Sequence, residues 1–127
     1  MTTVTDAALD WFLDRSVGST EGPMDTIAVG TGTDSESQDA TGLSEEVYSG
    51  SVDDNNVELL QVEGEIGLLE AIITLKGGTE VPGGTEISEI MVTSELDDVV
   101  IAIDNFEGIE VEPGHTEEFT MPIQVDR

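Results

Sequence analysis

The chain has 127 residues, of which 29 are acidic and 3 are basic (Arg15, Lys76 and Arg127), giving a formal net charge of -26, and it has no cysteine. That balance excludes nucleic acid and anionic membrane surfaces as partners, because both need Lys and Arg to neutralise phosphates. The missing cysteines exclude disulfides, thiolate nucleophiles and thiolate zinc sites.

In chain order, the first predicted element is a helix over about 5–17. Thr5 is a suitable N-cap, Asp6 favours the positive end of the helix dipole, and Val4 can staple against Ala8 or Leu9. Leu9, Phe12 and Leu13 recur at helical spacing, and Gly18 ends the run. Trp11 and Phe12 on this helix have two readings, packing on the core or docking on a neighbouring subunit. Thr26 to Gly30 follows as a short strand with Ile27 and Val29 on one face. Gly30-Thr31-Gly32-Thr33-Asp34 then opens a polar loop. A phosphate-binding reading of these glycines fails, since no third glycine stands at the Rossmann spacing, no Gly-Lys-Ser/Thr follows, and Asp34, Glu36 and Asp39 would repel phosphate. The loops from Ser19 to Asp25 and from Asp34 to Ser44 are expected to be the mobile parts.

From Glu46 onward the pattern is strand and turn. Val47 to Val52 and Val57 to Val62 read as hairpin partners around the turn Asp53-Asp54-Asn55-Asn56. Gly64 and Gly67 bracket Ile66, which suggests a bulge or bend. Leu68 to Leu75 is the most apolar strand and reads as central. Lys76-Gly77-Gly78 and Val81-Pro82-Gly83-Gly84 are turns before the strand Ile87 to Val92. Val99 to Ile103 and Ile109 to Val111 read as two strands split by Asn105-Phe106-Glu107-Gly108. Phe119, Met121, Ile123 and Val125 then alternate with period two, and Pro122 on the opposite face predicts an edge strand or a break. One helix and six to eight short strands predict a mainly β fold, an antiparallel β-sandwich or jelly-roll-like domain, spanning 1–127 as one unit.

The apolar strands decide how the charge is to be read. Disordered acidic tails lack such Ile-, Val- and Leu-rich runs, so the carboxylates coat a folded domain. A compact protein of this mass exposes roughly 6,500 Å², or about one net charge per 250 Å². Neighbouring charges then lie about 16 Å apart, repelling at physiological salt with a Debye length of about 8 Å and scarcely at all at molar salt, where it is about 3 Å. The composition reads as halophilic. The start MTTVTDAALDW lacks the basic and long apolar regions of a signal peptide, and no run approaches a spanning helix, so a soluble, unexported chain is expected.

No enzyme is expected. Carboxylates are so frequent that chance pairs carry no glycosidase signal, and nothing around His115 in its Pro-Gly-His-Thr turn assembles into nucleophile, base and orienter. The candidates for a cation are Asp53, Asp54, Asn55 and Asn56, or Asp97 and Asp98, yet their spacing is not that of an EF-hand and Asp-Asn turns need no ion. No metal set and no cofactor are assigned. With charge this dense, subunits should meet where carboxylates are sparse: at Trp11 and Phe12, and along Leu68 to Leu75 with Leu68 and Leu69 at its start.

The order of segments resembles a known family. Thr26 to Thr33 reads TIAVGTGT, a polar spacer follows, and Thr41 to Tyr48 reads TGLSEEVY. This is similar to the "IAVGTGT" strand and "ALGxEV" segment of a structural protein family of tailed phages and haloarchaeal tailed viruses. That family later carries a glycine followed by "ITEIGLF", similar to Gly84 to Val92 here, and closes with an alternating strand. The resemblance implies a virion component assembled in the host cytoplasm: a tail, baseplate or fibre-attachment protein, or a capsid-surface appendage such as a turret or decoration protein. It implies homo-oligomers and other virion proteins as partners, and carries over no catalytic residue. An alternative from another class is a cation-dependent binding module for a host surface glycan or protein.

Overall fold

The computed structural model describes residues 2–8, 24–37, 39–61, 68–94 and 99–124. Its strands are β1 Thr3–Val4, β2 Thr26–Gly30, β3 Glu46–Ser51, β4 Val57–Gln61, β5 Leu68–Lys76, β6 Thr85–Ser94, β7 Val99–Val111 and β8 Thr116–Gln124. They form two antiparallel sheets, one of five strands in the order β1-β7-β6-β2-β3 and one of three in the order β4-β5-β8. The fold is mainly β, with the two sheets sharing one core in a β-sandwich.

Alternation builds that core. On β8, Phe119, Met121 and Ile123 are buried while Glu118, Thr120, Pro122 and Gln124 are exposed. β8 is a sheet edge, where the missing proline N–H removes no ladder bond that the sheet needs. On β5, which is central in its sheet as its composition predicts, Ala71, Ile73 and Leu75 are buried. From the larger sheet Ile27, Val29, Ile87, Ile90, Val92 and Ile101 meet them. β6 departs from alternation, with every residue from Ile87 to Val92 buried, because a second apolar cluster covers its other face. There Ala28, Met91, Val100 and Ile103 pack under Ala40 and Leu43 of the 31–45 loop.

Several sequence expectations are corrected. The β3 and β4 strands are not a hairpin: β3 pairs β2 in one sheet and β4 pairs β5 in the other. Val52 N–H donates to Asp25 O at 2.9 Å, keeping the end of β3 beside β2. The Asn56 amide donates to Thr74 O at 3.0 Å and to the Tyr48 hydroxyl at 3.2 Å, turning the chain onto the second sheet. Turn chemistry sets where a chain reverses, not which sheet receives it.

Likewise β7 is one strand of 13 residues. Its register with β6 runs from Ile87↔Ile109 to Glu89↔Asn105, so the polar stretch that suggested a break is absorbed as a bulge. In the stretch from Asp34 to Ser44, expected to be mobile, Ser35, Glu36 and Ser44 are held by hydrogen bonds to β6 and β7.

At the N-terminus the helix is observed at residues 6–8, where Thr5 Oγ1 accepts Ala8 N–H at 3.1 Å, the N-cap geometry predicted. Thr5 also anchors the chain by donating its hydroxyl to Val100 O. The remainder of the predicted helix lies outside the described residues, with Trp11 and Phe12, as do the bend at 64–67, the Asp97 and Asp98 turn and Val125.

Candidate functional site

The densest polar constellation is built on β6. Glu89 stands between Gly30 of β2 and Asn105 of β7 in the sheet register, and its side chain is fully buried. Its carboxylate accepts four hydrogen bonds. Oε1 receives Ser35 Oγ at 2.7 Å and Ser44 N–H at 3.0 Å. Oε2 receives Gly32 N–H at 2.9 Å and Glu45 N–H at 2.8 Å. Both ends of the 31–45 loop are thereby clamped to one strand.

The glycines of the GTG stretch are explained by the same group. A Cβ at Gly30 would lie 2.3 Å from Glu89 Oε2, and one at Gly32 would lie 2.8 Å from both carboxylate oxygens. No side chain fits there, so the backbone can close on the carboxylate only where it is glycine.

A second tier of bonds holds the loop from the side. Ser88 donates its hydroxyl to Gly32 O at 2.6 Å. Asn105 accepts Glu36 N–H at 2.6 Å on Oδ1 and donates its own N–H to Glu36 Oε1 at 3.3 Å. Thr3 of β1 donates to Glu36 Oε2. Ser44 donates to Asp34 Oδ1 at 2.9 Å.

Burial alone would raise the Glu89 pKa, because a carboxylate loses water there; the donors Ser35, Glu45, Ser44 and Gly32 outweigh it and hold the group below its ordinary value. Glu36 shows the same contest, with burial opposed by the Thr3 hydroxyl and the Asn105 N–H, and its pKa is also lowered. A carboxylate saturated by four donors is a poor base. What the arrangement does chemically is hold backbone in place.

The residues singled out from sequence do other work. Asp54 Oδ2 accepts Ser51 N–H at 2.9 Å, and Asn56 is spent on the corner between the sheets, so these two close a turn. Among the described residues no group of three His, Asp or Glu side chains could hold a metal ion. His115 is exposed, with Nδ1 3.4 Å from Glu112 Oε2. Leu69 lies in phase with Ala71 and packs against the core, whereas Leu68 falls on the opposite, outward phase with Ile72. Of the Leu68 to Leu75 stretch, only alternate residues can therefore face a partner.

Glu89 itself was not singled out by sequence reasoning, because residue type cannot distinguish one buried carboxylate among 29 acids. A signal was nonetheless present: Glu89 places a charge, beside Ser88, inside a run bounded by Ile87 and by Ile90, Met91 and Val92. The three segments that carry the family resemblance, Thr26 to Thr33, Thr41 to Tyr48 and Gly84 to Val92, meet at this carboxylate. Compared with known proteins, the chain matches no family model, no curated protein and no solved structure.

Proposed function

We propose that this protein is a non-enzymatic structural subunit of a tailed virus of a halophilic archaeon, used in repeated copies in the tail, baseplate or fibre attachment, or in a capsid-surface appendage. The observation that carries the reading is the convergence on Glu89. Segments far apart in sequence, each similar to a segment of that virion family, lie together around one carboxylate, as they would if the resemblance reflected a shared structural unit. A site devoted to fixing a loop suits a protein whose work is assembly. The carboxylate coat would keep such particles dispersed in brine, where net charge opposes aggregation and salt screens repulsion within the subunit.

The test is location. Antibodies raised against the purified protein should decorate purified virus particles at repeated positions seen by electron microscopy, and the chain should be found in the particle's protein content. Its absence from purified particles, with the protein abundant in infected cells, would sink the reading.

A further inference from the structure

The two limbs of the loop between β2 and β3 are held unequally. The first, residues 31–37, is tied to β6 through Glu89 and Ser88 and to β1 and β7 through Glu36. The second, residues 39–45, reaches the sheets among the described residues through two hydrogen bonds, from Ser44 N–H and Glu45 N–H, and both end on Glu89. Its other bonds stay within the loop, such as Ser44 Oγ to Asp34 Oδ1 at 2.9 Å and Thr31 N–H to Glu45 O at 3.0 Å. Its apolar hold is the half-buried pair Ala40 and Leu43, seated on Ala28, Met91, Val100 and Ile103.

The same limb lies in a run of like charge. Asp34, Glu36, Asp39, Glu45 and Glu46 stand close in sequence with no Lys or Arg among them, and all but Glu36 are exposed. Closing the limb draws these carboxylates around a further one, Glu89. Exposed charges repel within a Debye length, about 8 Å at physiological ionic strength and about 3 Å at 1 M.

We infer that residues 39–45 form a salt-controlled latch: closed in brine, the limb opens as a unit when ionic strength falls, while both sheets stay folded. Opening uncovers the apolar face made by Ala28, Met91, Val100 and Ile103. Two balances set this order. The sheets share a core of buried Ile, Val and Leu side chains, so separating them costs far more than lifting Ala40 and Leu43 from one face. Salt, in turn, screens exposed carboxylates strongly and the buried Glu89 bonds weakly. Raising it removes the force that opens the limb and leaves the bonds that close it. The inference stands on the Glu89 geometry and is independent of the virion reading.

Two methionines report on it. Met91 lies under the limb, whereas Met121 is fully buried in the core between the sheets. The unmodified chain is treated at pH 7 with dilute hydrogen peroxide, in KCl from molar down to about 0.15 M, and sulfoxide at each methionine is read by peptide mass spectrometry. Amide hydrogen exchange is followed in parallel. As salt falls, oxidation of Met91 and exchange at the Ser44 and Glu45 amides should rise together, by about tenfold, while Met121 and the sheet amides of β2 and β6 hold constant. Met121 rising in step would mean that the whole fold opens, and no rise at either place would mean that the limb stays closed; both results overturn the latch. Glu45→Gln/Glu46→Gln removes two exposed charges and none of the bonds to Glu89, so it should reduce the rise severalfold. An unchanged rise overturns repulsion as the opening force. Glu89→Gln should expose Met91 already in molar KCl, and if that variant does not fold, the unmodified chain and the Glu45/Glu46 variant decide the matter.

Discussion

A carboxylate inside a sheet is tolerated only when its lone pairs are taken, and breaking such an arrangement leaves uncompensated polar groups in a dry place. Glu89 meets that condition with two bonds on each oxygen. Glu89→Gln keeps the shape but turns an NH₂ toward two of the four donors, and should cost about 2–4 kcal/mol in urea unfolding at neutral pH. The sign of the pH dependence follows from the lowered pKa. A carboxyl that is more acidic folded than unfolded contributes in full above its unfolded value near 4.5, and the contribution is lost as pH falls through the folded value. The difference in stability between the unmodified chain and Glu89→Gln should therefore be constant from neutral pH down to about 4.5 and narrow below it as pH falls toward the folded value. Taking the difference cancels the surface carboxylates, whose protonation relieves self-repulsion in both proteins. A difference that stays constant through the acid range would mean that the Glu89 pKa is the same folded and unfolded, and one that widens as pH falls would mean that it is raised in the folded state.

At the level of elements, the period of two was legible in β8, in Phe119, Met121 and Ile123. In β5 it was not, because the run from Leu68 to Leu75 is apolar on both phases, and only the fold shows that Ala71, Ile73 and Leu75 are the buried ones. The consequence for β5 is a sharp contrast between neighbours. Ile73→Ala should destabilise the fold by about 2–5 kcal/mol, by removing side-chain contacts at the shared core. Ile72→Thr, one residue away on the half-buried outer face, should stay within about 0.5 kcal/mol. Chemical denaturation of the two variants decides it, and equal costs would contradict the register. β6 shows where periodicity fails. From Ile87 to Val92 it is buried on both faces, and nothing local to that strand announces that the 31–45 loop will fold over it. The β7 bulge is similar: Asn105 to Gly108 has the composition of a turn, and the strand continues through it because β6 offers a partner on either side of the irregularity.

For the whole molecule, the charge sets how stability should respond to salt. The surface is 7082 Å², so the net charge of -26 amounts to roughly one unit per 270 Å², a spacing at which repulsion persists at physiological ionic strength and is screened at molar salt. The thermal midpoint should rise as KCl is raised from physiological to molar concentration and flatten once the Debye length is about 3 Å. A midpoint that is unchanged or falls would show that self-repulsion is not what limits stability.

What the sequence determined by itself is the fold class, the central place of β5, the edge position of β8 and the N-cap at Thr5. Each depends on local composition and alternation or on proline and hydroxyl chemistry, all of which are properties of the chain before it folds. Tertiary structure alone decided that β3 and β4 belong to different sheets, that Glu89 is the buried acid, and that the polar loop after Gly30 is anchored. The first depends on which strand each pairs with, and the other two on groups 44 to 57 residues apart in the chain meeting at one carboxylate. A turn or an acidic residue looks the same in sequence whichever partner it finds. Only the packed sheets fix which strand receives the chain and which carboxylate leaves water.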